Sequence, residues 1–273
     1  MKKFLLPAVW CFLAGMLFPS LGCDMADFES AAYLDSQRFL AIQADPLEAA
    51  PGEQITFTAL AVREDGLAYD GPMAWTIVGG NATQTEDSNA FDPATAAVTS
   101  PGQPFVWTVL DRDQLEERFG PFQENGLLLT VVAAIFKNGD MNQEARLAYK
   151  MFVVSEREPD RRLTNPVLTE IVVSQGGKEI SPNTQGEYTV TDGKVELRAF
   201  TDQPDEDDLT FYWFSIDKDF EPDYSDSQTL KTNGHESLPL YCVLRQELFF
   251  ETDTGGRVRL TGTDWRSMQI RTQ

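Results

Sequence analysis

Residues 194–200 set Val195, Leu197 and Ala199 alternately against Lys194, Glu196 and Arg198. A period of two sends every apolar side chain to one face of an extended chain, which no helix can do. This is the most restrictive feature of the chain, because half-buried strands of this kind must be covered by a second layer. Ile55-Thr56-Phe57-Thr58 alternates in the same way before an apolar run to Val62. Shorter β-rich runs at 38–44, 73–78, 105–110, 127–136 and 145–154 read as strands of a first half. Those at 169–174, 209–216, 238–244, 248–251 and 258–260 read as strands of a second, the last two forming a hairpin across Asp253-Thr254-Gly255-Gly256. One helical turn is expected, with Asp113 and Glu116 as its capping pair, Leu115 and Phe119 on one face, and Gly120-Pro121 ending it. The tail 264–273 carries no readable pattern.

Glu156–Asn165 is charged, contains Pro159 and lacks apolar periodicity, after which the strand pattern restarts. A chain of 273 residues has room for two domains, expected at 38–155 and 166–273 with 156–165 as the linker. Each half runs through an opening strand, an alternating strand (Ile55–Val62; Lys194–Phe200), a Trp-bearing strand (Trp75; Trp213) and a later apolar strand (Leu127–Phe136; Leu238–Leu244). That order resembles Ig-like domains, in which the Trp of the third strand packs between two sheets. The resemblance implies an all-β chain: two Ig-like β-sandwich domains in tandem behind a cleaved signal segment.

That segment is read from Lys2-Lys3, an apolar stretch from Phe4 to Phe18, and small residues around Ser20-Leu21-Gly22. As a helix the apolar stretch would reach about 22 Å, short of the roughly 30 Å hydrocarbon core of a membrane. Residues 1–22 are therefore expected to be a signal peptide and 23–37 a flexible tether. Pro19-Ser20-Leu21-Gly22-Cys23 resembles the lipobox of bacterial lipoproteins, although Ser20 stands where leucine is usual. The resemblance implies cleavage before Cys23, lipid on Cys23, and a cell-envelope protein held through its N-terminal lipid to the inner or outer membrane.

Cys11 falls in the signal and Cys23 takes the lipid, so Cys242 has no intramolecular disulfide partner. It shares a strand face with Leu238, Leu240 and Leu244, which makes it a small buried hydrophobe rather than a nucleophile. Removing residues 1–22 takes away Lys2 and Lys3 and no acid, moving the net charge from −21 to −23. Such a surface repels phosphate, and nucleic acid is not an expected partner.

A lone histidine, His235, in a polar stretch excludes a multi-histidine metal centre, and no Gly-x-Ser-x-Gly elbow or phosphate-cradling glycine loop occurs. No catalytic residue and no organic cofactor are expected. Two acidic stretches, Asp202–Asp208 and Asp217–Asp226, flank the Trp213 strand. Calcium takes carboxylate oxygens, and Asp217, Asp219, Glu221 and Asp223 are its candidate ligands, without the Gly and terminal Glu of an EF-hand loop. The polar stretch 79–103 and the aromatics Phe211, Tyr212, Phe214, Phe249 and Phe250 are the other candidate surfaces, for the aromatics against a competing role in the core. The expected function is that of a non-enzymatic structural or interaction module of the envelope, meeting an envelope protein or glycan. The alternative is a carbohydrate- or peptide-binding protein that depends on calcium.

Overall fold

The computed structural model describes residues 32–80, 91, 94–203, 208–253 and 255–273. Cys23 and the signal segment lie outside them. The first strands are β1 (Arg38–Asp45), β2 (Glu48–Ala49), β3 (Gln54–Val62), β4 (Met73–Gly79), β5 (Ala97–Thr99), β6 (Phe105–Thr108), β7 (Leu127–Phe136) and β8 (Ala145–Val154). Sheet β1-β3-β6 faces sheet β2-β8-β7-β4-β5. Between them lie Phe57, Trp75, Val131 and Phe152, with Phe57 and Phe152 edge to face at 5.1 Å.

The second set is β9 (Leu168–Gln175), β10 (Lys178–Ile180), β11 (Glu187–Val190), β12 (Lys194–Thr201), β13 (Leu209–Ser215), β14 (Ser227–Lys231), β15 (Ser237–Glu251) and β16 (Arg257–Thr272). Sheet β10-β9-β12-β14 faces sheet β11-β16-β15-β13. Val195, Leu197 and Ala199 of β12 enter this core as their alternation requires, against Trp213, Leu240 and Cys242.

Both sandwiches are wound alike. The opening strand pairs with the long alternating one (β1–β3; β9–β12), and the chain then crosses to a Trp strand in the other sheet (β4; β13). That strand pairs with the penultimate strand, which forms a hairpin with the last, and a short strand (β2; β11) runs parallel to the last. This is Ig-like topology. Each Trp indole is hydrogen-bonded, Trp75 Nε1 donating to Thr99 Oγ1 of the neighbouring strand β5 at 3.0 Å and Trp213 Nε1 to the Ser225 carbonyl at 3.0 Å.

Several boundaries differ from the sequence pattern. Helix α1 is Arg112–Phe119 and its cap is Asp111, whose carboxylate accepts from Gln114 N at 2.9 Å while the Gln114 side chain accepts from Asp111 N. Asp111/Gln114 and Asp113/Glu116 are overlapping capping signatures, and the earlier start still buries Leu115 completely. The runs at 238–244 and 248–251 are one strand, β15, and the unreadable tail is the second half of β16. There Arg266 donates to the carbonyls of Leu168 and Thr169, and Arg271 pairs with Glu187 at 2.7 Å. Such side chains serve neighbouring strands and leave no polar–apolar rhythm.

The two sandwiches share a seam. β15 and β16 pair from Ser237 to Glu251, about 50 Å of hairpin at the usual rise per residue. Its root closes the second core, while near its tip Phe250 and Leu260 pack on Val153 of β8. On the face of β13 and β15 turned from their own core, Phe214, Tyr241 and Val243 meet Leu40 and Ala41 of β1 and Leu60 and Val62 of β3. At the tip, Asp253 accepts the backbone N–H groups of Glu124 and Asn125 at 2.6 and 3.0 Å.

The chain on either side of the first sandwich joins this seam. Residues 32–37, expected to be tether, are docked: Leu34 is 1% exposed, its N–H donates to the Ser215 carbonyl, and Ser215 N–H donates to the Ala32 carbonyl. They extend the otherwise open edge at β13. Residues 156–165 are fastened too. Glu48, 1% exposed, accepts from Ser155 Oγ and from Leu163 N, and Asn165 bridges the Ala44 carbonyl and Thr263 N at 2.7 and 3.1 Å.

Gly66 tests this seam. Its carbonyl accepts from Tyr241 Oη at 2.8 Å, its φ is +74°, and a Cβ there would stand 2.1 Å from Ile216 Cγ2. Gly66→Ala is expected to lose about 2 kcal/mol or more in a urea melt, combining left-handed strain with the clash. Gly52→Ala, at φ +84° with nothing within 4 Å, should lose the strain alone. Equal losses in the two variants would show that Ile216 is not packed on residue 66.

Candidate functional site

The Asp217–Asp226 loop is fastened at both ends by its own carboxylates. Asp217, 2% exposed, turns inward: Oδ1 accepts from Asp219 N and Oδ2 from Asn233 Nδ2, both at 3.0 Å. Phe220 follows it into the second core. Asp223 Oδ1 accepts from Ser225 Oγ, Gln228 Nε2 and Ser225 N, and these bonds, led by Ser225, hold its carboxyl below the usual aspartate range. Asp219 and Glu221 are exposed. The four candidate calcium ligands thus lie on one loop, but Asp217 points away from the other three. Among the described residues no three His, Cys, Asp or Glu side chains converge as a metal group would require.

What the loop does build is a wall. The solvent face of β9-β12-β14 carries Ser174, Glu196, Arg198 and Thr229, and Glu221 and Asp223 rise beside it to enclose an open groove of about 530 Å³. Arg198 also borders a second cavity of about 330 Å³, lined by Phe200, Thr201, Leu209, Tyr224, Ser225 and Asp226. Both volumes lie in the range of small-molecule clefts.

Arg198 is the centre of this surface. Its guanidinium lies 5.0 Å from the Phe200 ring centroid and its Nε 3.6 Å from Asp226 Oδ2. Tyr224 also lines the second cavity, with φ +67°, a conformation that non-glycine residues rarely adopt. Its carbonyl accepts from Phe211 N, its ring meets Tyr212 edge to face at 5.2 Å, and the residue is still 47% exposed. Phe200, on the solvent face of β12, is 38% exposed.

Phe200 and Arg198 are site residues the acidic pattern did not indicate. Their signal was present in the alternation itself: Lys194, Glu196 and Arg198 mark the solvent face, and Phe200 falls on that face by parity. The candidate aromatics divide differently. Phe211 enters the second core, Phe214 enters the seam with Tyr212 beside it, Phe250 enters the seam at the hairpin tip, and Phe249 is 42% exposed. In the stretch 79–103, residues 81–90, 92 and 93 lie outside the described set. Phe91 and Ala96 cover Ala74, Ala134 and Phe136 on the outer face of the first sandwich. His235 lies in the turn before β15, its N–H donating to the Thr232 carbonyl.

No protein-family model matches the sequence, and no curated protein matches it. Among solved structures, a marsupial T cell receptor aligns with 87% of this chain and 73% of its own at 8% identity, with a TM-score of 0.23. The fold rests on the strand topology rather than on that likeness. No helix among the described residues is long and apolar enough to cross a membrane.

Proposed function

We propose that the chain is a non-enzymatic cell-envelope lipoprotein, anchored through lipid on Cys23, whose two sandwiches act as one rigid interaction module. The observation that best supports this is the seam. Phe214, Tyr241 and Val243 on one side and Phe250 and Leu260 along the hairpin fix the sandwiches to each other, so surfaces on both keep a constant spacing and orientation. A module that holds a partner at a set distance from a membrane needs that rigidity. The lipid supplies the other end, with residues 24–31 as the connection.

Cell fractionation tests the anchor. The natural chain, exported from a bacterial host, is expected to sediment with membranes and to be released by detergent. Cys23→Ser is expected to move to the aqueous fraction, because it removes the lipid attachment and leaves the folded body unchanged. Stable retention of Cys23→Ser on membranes would overturn lipid anchoring.

A further inference from the structure

Sheet edges offer unpaired backbone groups to any passing strand, and proteins guard them with charge, with short strands or with cover. Most edges of the described sheets are guarded in these ways. β13 is extended by residues 32–37, and β1 faces the second sandwich, its Leu40 carbonyl accepting from Arg245. β10, β11 and β14 carry Lys178, Glu187 and Lys231, while β2 and β5 have only 2 and 3 residues. β6, Phe105–Thr108, ends its sheet with neither charge nor cover. It lies within residues 93–110, the longest stretch after Cys23 without Asp, Glu, Lys or Arg. Val106 on its outer face is 49% exposed.

We infer that the outer edge of β6 pairs antiparallel with β6 of a second copy of this chain. This rests on the interaction-module reading and names one partner of that module. The register follows from backbone parity. Val109 N–H donates to the Glu53 carbonyl, so by alternation Trp107 and Phe105 also turn their N–H and C=O groups to β3. Those of Val106 and Thr108 therefore point outward, and among the described residues nothing else bonds them. A two-fold axis at Trp107 sets Val106 opposite Thr108 of the second copy and closes about four backbone hydrogen bonds. An axis at Val106 would instead set Thr108 opposite Pro104, which has no N–H to give. Charge selects the occupant. Two copies at a net −21 repel each other wherever carboxylates meet, and this uncharged edge is where they approach at least cost.

The experiment follows sedimentation velocity of the exported Cys23→Ser chain over a concentration series in low and high salt. A reversible monomer–dimer equilibrium is expected, and salt should tighten it by screening the repulsion between copies. Val106→Lys is expected to weaken the dimer about tenfold or more. Because that substitution lowers the net negative charge, general electrostatics predicts the opposite sign, so the weakening reports the edge itself. Thr189→Lys, an equal charge change on the guarded strand β11, should not weaken it. Unchanged melting temperatures confirm that both variants keep the fold, as expected at exposed positions. A chain that stays monomeric at every concentration, a dimer that Val106→Lys leaves intact, or equal weakening by Thr189→Lys would overturn the pairing. A monomer whose natural chain still depends on Cys23 for membrane attachment loses this partner and keeps its standing as an anchored module.

Discussion

Raising the pH from 7 to 9 is expected to stabilise the protein, and Lys150→Met is expected to abolish that gain. Lys150 is 6% exposed where β1, β8 and β16 meet, its Nζ donating to the Thr261 carbonyl and to Thr263 Oγ1 at 2.8 Å. Both acceptors are neutral. Burial penalises the ammonium, the Arg245 guanidinium adds repulsion, and together they push its pKa down to about 7. The unfolded chain holds that proton to the ordinary lysine value of 10.5. Between the two values the unfolded state binds more protons, so stability rises with pH, by up to about 1.4 kcal/mol per unit. Below pH 7 both states carry the proton and the cost is constant.

Two other buried groups end the rise. Burial raises the Cys242 thiol well above its ordinary 9.0, and burial, reinforced by Asp65, pushes Tyr241 up to about 12. Each is released from its proton first in the unfolded chain, so each removes stability as the pH passes its ordinary value. The maximum should therefore fall near pH 9. Lys150→Met keeps the volume and removes the charge. It leaves the Thr261 carbonyl without this donor, at about 1–3 kcal/mol, yet relieves a larger penalty. The expected net gain is about 1–3 kcal/mol at pH 6, in urea melts taken at pH 6, 7, 8 and 9. An unchanged slope between pH 7 and 9 in the variant would assign the dependence to another group.

The strand order was legible because β12, β3 and the Trp strands obey local rules: period-two alternation and aromatic burial act within a few residues. The seam was not. Leu34 and Phe250 sit in stretches whose local pattern does not say which surface will cover them, and Val243 alternates correctly whether its face meets water or a second sandwich. The charged run 156–165 showed no periodicity because its order comes from single long-range bonds, such as Leu163 N to Glu48, which leave no periodic trace. The groove was half legible. The carboxylates of 217–226 stood out by composition, but Asp217 turning to Asn233 depends on a residue 16 positions away. Arg198 meets Asp226 only when β12 and the loop are side by side.

Separating the sandwiches should be the most damaging change of all. Phe214, Tyr241, Val243, Phe250 and Leu260 are each less than 5% exposed and line the seam. At about 1.5–3 kcal/mol for burying each large apolar side chain, their contribution is on the order of 10 kcal/mol. That equals the whole stability of a typical domain, about 5–15 kcal/mol. Residues 166–273 expressed alone would also lose the Leu34 segment from the edge at β13 and the Asp253 contacts of the hairpin tip. The fragment is expected to keep β-type circular dichroism, bind the hydrophobic dye ANS, and melt without a sharp transition, whereas the full chain unfolds in one. Phe250→Asp in the full chain should reproduce part of this loss by placing a charge against Val153 and Leu260, with the root of the hairpin still held by its own core. A fragment that melts cooperatively at the temperature of the full chain, with no ANS binding, would mean that the seam contributes little and that the two sandwiches are joined only in passing.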